Sequence, residues 1–286
     1  MMAGSRQGGA DDATGPGAAG RYRAELDRLA ENRRIWDRKP ALRRVYGDFH
    51  RRLLEPSHPG RLLEIGAGTG HLGRSAGRVV SLDVLCSSSI DVNGDAHRLP
   101  FRDASFDGIV LLDTLHHLER PARFLREAAR VLCPGGTIAM IEPGMTPLSR
   151  LFYGAFHEEP VDMSADPWVE GPLDAGRRPF DSNQAIPTLM FLGPEAARRL
   201  AVAEPSLVIR ERRWLSLWAY PLSGGFRPWR LIPEPLVGPL LATGEGAAAV
   251  DRLPGGVSSA RRAGAGTRFR RGAAEPMTVE ESDDPN

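Results

Sequence analysis

Three alternate glycines directly behind a short apolar run, Leu62-Leu-Glu-Ile-Gly66-Ala-Gly68-Thr-Gly70, restrict the fold more than any other segment of this 286-residue chain. Glycine adopts positive φ without steric cost and lets a ligand approach bare backbone. Such a turn belongs in the crevice at the carboxyl end of a buried strand, where a helix then begins. RLLEI (61–65), VVSLDV (79–84), GIVLLD (108–113) and TIAMIE (137–142) are short apolar runs of the kind that parallel strands buried on both faces show. Between the last two, PARFLREAARVL (121–132) sets Phe124, Leu125, Ala128, Val131 and Leu132 on one helical face. Strand, helix, strand at this spacing is a βαβ unit. Its repetition predicts an α/β chain with a doubly wound, Rossmann-like sheet.

Residues 1–20 are rich in Gly, Ala and Asp without hydrophobic periodicity and are predicted to be a disordered tail. Residues 21–58 form an N-terminal helical cap. There Leu26, Leu29, Ile35 and Trp36, then Leu42, Val45, Tyr46, Phe49 and Leu53, recur at helical spacing on either side of Lys39-Pro40. The core is predicted at 59–146 and a further region at 147–232, with a short helix at 148–157, a helix at 195–203 opened by Pro194, and strand-like content over 206–222. Order is expected to fade through 233–286. Only eleven residues separate Asp83 from Asp95, too few for a full crossover helix, so the connection from the second strand to the third is predicted to be shortened. The Gly/Arg-rich AGAGTRFRRGAA (263–274) is not expected to pack well as a final strand.

Charge narrows the partners. Lys plus Arg is 37 against 36 for Asp plus Glu, a net charge of +1, so no basic surface for nucleic acid is predicted. Lys39 is the only lysine, a bias that GC-rich coding explains. Two cysteines fit a reducing cytoplasm better than a disulfide framework, and no Cys/His group has zinc-ligand spacing, so no metal is predicted. The N-terminus does not read as a signal peptide, and no apolar run reaches membrane-spanning length.

The nicotinamide fingerprint G-x-G-x-x-G/A fails at its sixth position, which is His71, and a P-loop lysine is absent. Asp83, at the end of the second strand, can accept both hydroxyls of a ribose. Asp95, where the third strand would end, can receive the exocyclic amine of an adenine.

The segments LLEIGAGTG (62–70), SLD (81–83), GDAHRLPF (94–101), ASFDGIVLLDTLHHL (104–118) and REAARVLCPGGTIAMIEP (126–143) resemble, in order, the class I S-adenosylmethionine-dependent methyltransferases. The likeness is to the small-molecule group with the ubiquinone/menaquinone-type domain. It implies a mixed seven-stranded sheet whose last strand is antiparallel. It implies S-adenosylmethionine as cofactor, with Glu64, Gly66, Ala67, Gly68 and Gly70 around the methionine part, Asp83 on the ribose, and Asp95 with Ala96 on the adenine. Asp113 to His117 would line the floor beside the sulfonium. On this resemblance 59–146 is the cofactor-binding core, the helical cap closes over it, and 147–232 binds the acceptor and completes the sheet.

Methyl transfer needs a base only when the acceptor is a poor nucleophile. The candidates are Glu142, Tyr153, His157 and His117, with Tyr153 and His157 four apart and so on one helical face. The competing readings of the His116-His117 pair are packing of the loop after the fourth strand and contact with an acceptor. For Glu142 the plainer reading is that Glu-Pro ends a strand. Trp214, Trp218, Tyr220, Phe226 and Trp229 supply either core or apolar walls for a quinone-like, secondary-metabolite or lipid-linked acceptor, with peripheral membrane contact a third reading. A NAD-dependent oxidoreductase and a non-methylating cofactor-binding protein on the same fold are the alternatives to a small-molecule methyltransferase. The sequence leaves the oligomeric state open.

Overall fold

The computed structural model describes residues 18–54, 60–75, 78–146, 159–174, 176–215, 219–243 and 265–271. Helix α1 (Ala18–Arg38) begins three residues before the predicted boundary of the tail, and α2 (Pro40–Leu54) follows after one residue. Proline suits a first helical position, and the residue before it is pushed out of the helical region. The break therefore falls at Lys39. Along α2 the buried positions are Ala41, Leu42, Val45, Tyr46, Phe49 and Leu53, the stripe that the periodicity predicts.

The central sheet takes in β1 (Leu62–Ile65), β2 (Val79–Asp83), β3 (Val92–Asn93), β4 (Phe106–Leu112), β5 (Leu132–Glu142), β6 (Leu207–Trp214) and β7 (Ala265–Arg271) in the order β3-β2-β1-β4-β5-β7-β6. Strands β1 to β5 are parallel where they pair, and β7 runs antiparallel to both β5 and β6. This is the mixed seven-stranded sheet with an antiparallel last strand that the resemblance implies.

Alternation explains the near-continuous apolar runs. Ile109 and Leu111 of β4, with Ile138 and Met140 of β5, enter one core beside Phe124, Leu125 and Ala128. Those last three belong to α3 (Pro121–Val131). Val110, Ala139 and Ile141 enter a second core on the opposite face, with Ala41, Val45 and Phe49 of α2. Strands β4 and β5 are thus buried on both faces where they pair, and a single charge on either face there would break the packing.

Two expectations are corrected. The stretch 206–222 is not one strand: β6 stops at Trp214, and residues 219–223 form a helical turn. Trp218 lies outside the described residues, as does the helix predicted at 148–157. The Gly/Arg-rich C-terminal segment does supply the closing strand, β7. Two backbone ladders hold it, and those do not depend on the side-chain composition that makes the segment unpromising. The short β2-to-β3 connection is as expected: residues 84–91 form no helix, and β3 has two residues. Asp91 ties it down by accepting from both the backbone N and Oγ of Ser81 at 2.8 Å.

The single lysine has a specific place. Lys39 Nζ donates to the carbonyls of Gly225, Arg227 and Trp229 at 2.7, 2.7 and 2.9 Å, joining the α1–α2 break to a loop 186 or more residues away. Burial, with Arg230 adding to it, lowers its pKa to about 8, while the three carbonyls favour the charged form. A planar guanidinium cannot reproduce three bonds converging on one compact ammonium. Lys39→Met is expected to lower the free energy of unfolding by at least about 3 kcal/mol, because three carbonyls lose a charged donor. Lys39→Arg should also destabilise the chain. Urea unfolding checks both, and an unchanged midpoint would contradict the role.

Candidate active site

The carboxyl ends of β1, β2 and β4 open into a cleft of about 370 Å³. Its first wall is the turn after β1. Gly66, Gly68 and Gly70 have φ of +69°, +50° and +70°, so all three use the freedom that glycine has. A Cβ on Gly66 would overlap the Thr114 side chain, and one on Gly70 would overlap the carbonyl of Ser89. Gly66, Ala67 and Gly68 line the cleft; Gly70 does not, and instead lets the chain pass close to Ser89 as the next helix begins. Gly70→Ala is therefore expected to distort the turn and cost several-fold in any affinity of the cleft. Ligand titration measures that loss, and wild-type binding would contradict the close approach.

His71, which spoils the nicotinamide pattern, stacks on Trp36 with ring centroids 3.7 Å apart and planes 11° apart. The residue thus fastens the helical pair α1–α2 to the glycine turn. Leu29 and Asn32 of α1, and Tyr46 and His50 of α2, close one side of the cleft.

Glu64, Asp83, Asp95 and Ala96 also line it. Burial raises the Glu64 carboxyl to about 8, against a backbone hydrogen bond from Gly73, and its Oε2 is buried without a hydrogen-bond partner. Asp83 accepts from the backbone N of Gly68 through Oδ2 and from that of Leu85 through Oδ1, each at 2.8 Å. Burial pushes its pKa up, with those bonds opposing. The His97 ring, with its Nδ1 2.7 Å from Asp95 Oδ1, holds the Asp95 carboxyl below the usual range.

The floor is the turn after β4. Asp113 has a φ of +50°, unusual for a residue with a Cβ, and its backbone N is held by the carbonyl of Ile141 at 3.0 Å. Its Oδ2 receives the Tyr46 hydroxyl at 3.1 Å. Burial brings the Asp113 carboxyl up to about 7. His117 lines the cleft; burial and the neighbouring His116 push its pKa down to about 3.

Glu142 lies elsewhere than its candidacy as a base requires. It is 3% exposed and absent from the cleft lining. Oε1 accepts from the backbone N of Thr114 and of Leu115 at 2.8 and 2.7 Å, and Oε2 meets His116 Nδ1 at 2.7 Å. With both oxygens engaged and no face on the cleft, it shapes the turn and does not meet the reacting end. Tyr153 and His157 lie outside the described residues. Of the five aromatics, Phe226 reaches the cleft, Tyr220 packs behind Tyr46, and Trp229 is exposed. Tyr46, His50 and Phe180 were not singled out from the sequence. The first is an unremarked member of the α2 stripe, and the other two carry no spacing that marks them.

Residues 63–140 match the family model described as a methyltransferase domain. The "Probable tRNA methyltransferase 9B" of Mus musculus is 33% identical over 116 residues, covering 36% of this chain and 26% of that protein. The "27-O-demethylrifamycin SV methyltransferase" of Amycolatopsis mediterranei is 50% identical over 46 residues, 16% of this chain and 17% of that one. A "Demethylmenaquinone methyltransferase" of Roseiflexus castenholzii is 32% identical over 133 residues, 40% and 56% of the two chains. The matched stretches thus cover between about a sixth and somewhat over half of these relatives' own length.

Proposed function

We propose that this chain, whose residues 63–140 match a methyltransferase domain, moves a methyl group from S-adenosylmethionine to a small apolar or amphipathic acceptor. The observation that carries this reading is the gathering around one cleft of the three-glycine turn, the orphaned Glu64 oxygen, Asp83 at the tip of β2 and Asp95 after β3. These donors and acceptors fit the cofactor: carboxylates for a ribose diol and an adenine amine, and a bare backbone with a buried carboxyl for an amino-acid end. When bound, the cofactor supplies a methyl carbon already activated by a sulfonium.

The chain's own groups do the rest. Asp83 takes the ribose, Asp95 with Ala96 the adenine, and Glu64 with the glycine turn the methionine part. Asp113 faces the reacting end, and its carboxyl near neutrality suits it to accept a proton from an acceptor that is a poor nucleophile. Leu29, Phe180 and Phe226 give the cleft apolar walls that exclude water. Holding two reactants in line is worth ~7–11 kcal/mol. A small acceptor is favoured because α1, α2 and the loop carrying Phe180 enclose the cleft, and the net charge of +1 supports no nucleic-acid surface.

Glu64 gives the reading a proton signature. Its folded pKa of about 8 lies above the 4.5 of a free glutamate, so at pH 7 the empty cleft holds it protonated. An ammonium placed beside it favours the carboxylate, and binding then releases a proton. Calorimetry of S-adenosylhomocysteine at pH 7 in buffers of different ionisation enthalpy should show that release, and Glu64→Gln should abolish it. Heats independent of buffer in the wild type would contradict the placement of Glu64.

Methyl-labelled S-adenosylmethionine, incubated with the enzyme and an extract of cells lacking the gene, should label a small apolar product detectable by mass spectrometry. Label confined to tRNA would overturn the small-molecule acceptor, and no label in any fraction would overturn the transfer.

A further inference from the structure

His116, His117 and Glu159 each offer a ligand atom within 4.8 Å of the others, and His117 lines the cleft. We propose that they form a binding site for a divalent transition-metal ion of the zinc type. Two imidazoles and one carboxylate, with positions left open, are a donor set suited to Zn²⁺, Co²⁺ or Fe²⁺.

The surroundings are built as the outer shell of such a site. Glu142 Oε2 holds His116 Nδ1 at 2.7 Å, which fixes the ring and turns Nε2 toward Glu159 Oε2, 3.6 Å away. A carboxylate behind a histidine in this way orients it for a metal and raises its basicity. Gln184, 2% exposed, donates through Nε2 to Glu159 Oε2, and its own Oε1 is buried without a hydrogen-bond partner. The donor groups are therefore held from behind on two sides. Metal–ligand distances of about 2.0–2.2 Å put neighbouring donors of a tetrahedral ion ~3.4 Å apart, so the three side chains must close by rotation, without backbone movement.

His117 lines the cleft, so the site borders the space that, on the reading above, receives the acceptor. The ion would hold an oxygen donor of that acceptor beside Asp113.

The test is titration of the full chain with Co²⁺, followed by its visible d–d bands and displaced by Zn²⁺, with S-adenosylhomocysteine binding measured on the same samples. One ion per chain is expected. Glu159→Gln and His117→Ala should weaken it at least 100-fold, and Gln184→Ala about 10-fold, with melting curves confirming that the variants fold. Wild type that binds S-adenosylhomocysteine but no Co²⁺ would overturn the metal site and leave the cofactor reading standing. So would variants that bind Co²⁺ as the wild type does, or a thiolate band that places the ion on the exposed Cys86. Metal binding without S-adenosylhomocysteine binding would uphold the site and sink the cofactor reading.

Discussion

Asp83→Asn should lower the affinity for S-adenosylhomocysteine at least about 100-fold while the chain stays folded. The carboxylate stands at the end of β2 with one oxygen on the backbone N of Gly68 and the other on that of Leu85. Each oxygen keeps a further lone pair for a hydroxyl of the ligand. A hydrogen bond to a charged group contributes about 1.5–3 kcal/mol, so two of them account for about 3–6 kcal/mol of binding. Asparagine preserves the shape but presents an NH₂ to one of its partners, and so loses acceptor capacity on both the loop side and the ligand side. Asp83→Ala should abolish detectable binding, at the added cost of loosening the glycine turn. Calorimetry gives the affinity and a melting curve the fold. An Asp83→Asn protein with wild-type affinity would show that the ribose is held elsewhere.

Glu142→Ala is expected to be the most damaging single change to the floor of the cleft. Three donors converge on this buried carboxylate: the backbone N of Thr114 and of Leu115, and the His116 ring. Removing it strands two buried N–H groups and leaves the buried His116 ring without the carboxylate that, against burial, raises its pKa. Losing one partner of such a buried pair costs about 3–5 kcal/mol. Glu142→Gln keeps the volume and one acceptor, and should fall between wild type and Glu142→Ala. Because Asp113, Thr114 and His117 all line the cleft from this turn, ligand affinity should fall together with stability. Urea unfolding and calorimetry on the same variants test that coupling. A stable Glu142→Ala protein with intact affinity would return the residue to the status of a strand end.

Strands β1, β2, β4 and β5 are the legible part of the sheet because they are mostly buried. In β4, Ile109 and Val110 enter opposite cores, so no polar residue interrupts the run. The glycine turn was legible for the related reason that only glycine fits positive φ against Thr114 and Ser89. Strand β7 was not. Its place is fixed by ladders to β5 and β6, and a Gly/Arg-rich segment carries no trace of partners that lie more than fifty residues earlier in the chain.

The site divides in the same way. Asp83 follows from the end of a strand that an apolar run locates, whereas Asp95 rests on the GDAHRLPF likeness, because β3 has two residues and no apolar run marks it. Glu142 also stands at a strand end, yet its side chain turns toward the backbone of the neighbouring turn, a direction that no spacing reveals. Tyr46 reads as one more apolar member of a helix stripe, and its hydroxyl finds Asp113 through packing between segments 67 residues apart. The same holds for Lys39, whose meaning in the composition was its rarity and whose meaning in the fold is three distant carbonyls.

Calorimetric titration of the wild-type chain with S-adenosylhomocysteine and, separately, with NADH tests the identity of the cleft most directly. One molecule of S-adenosylhomocysteine per chain, with no heat from NADH, is the expected result. Binding of NADH alone would contradict it.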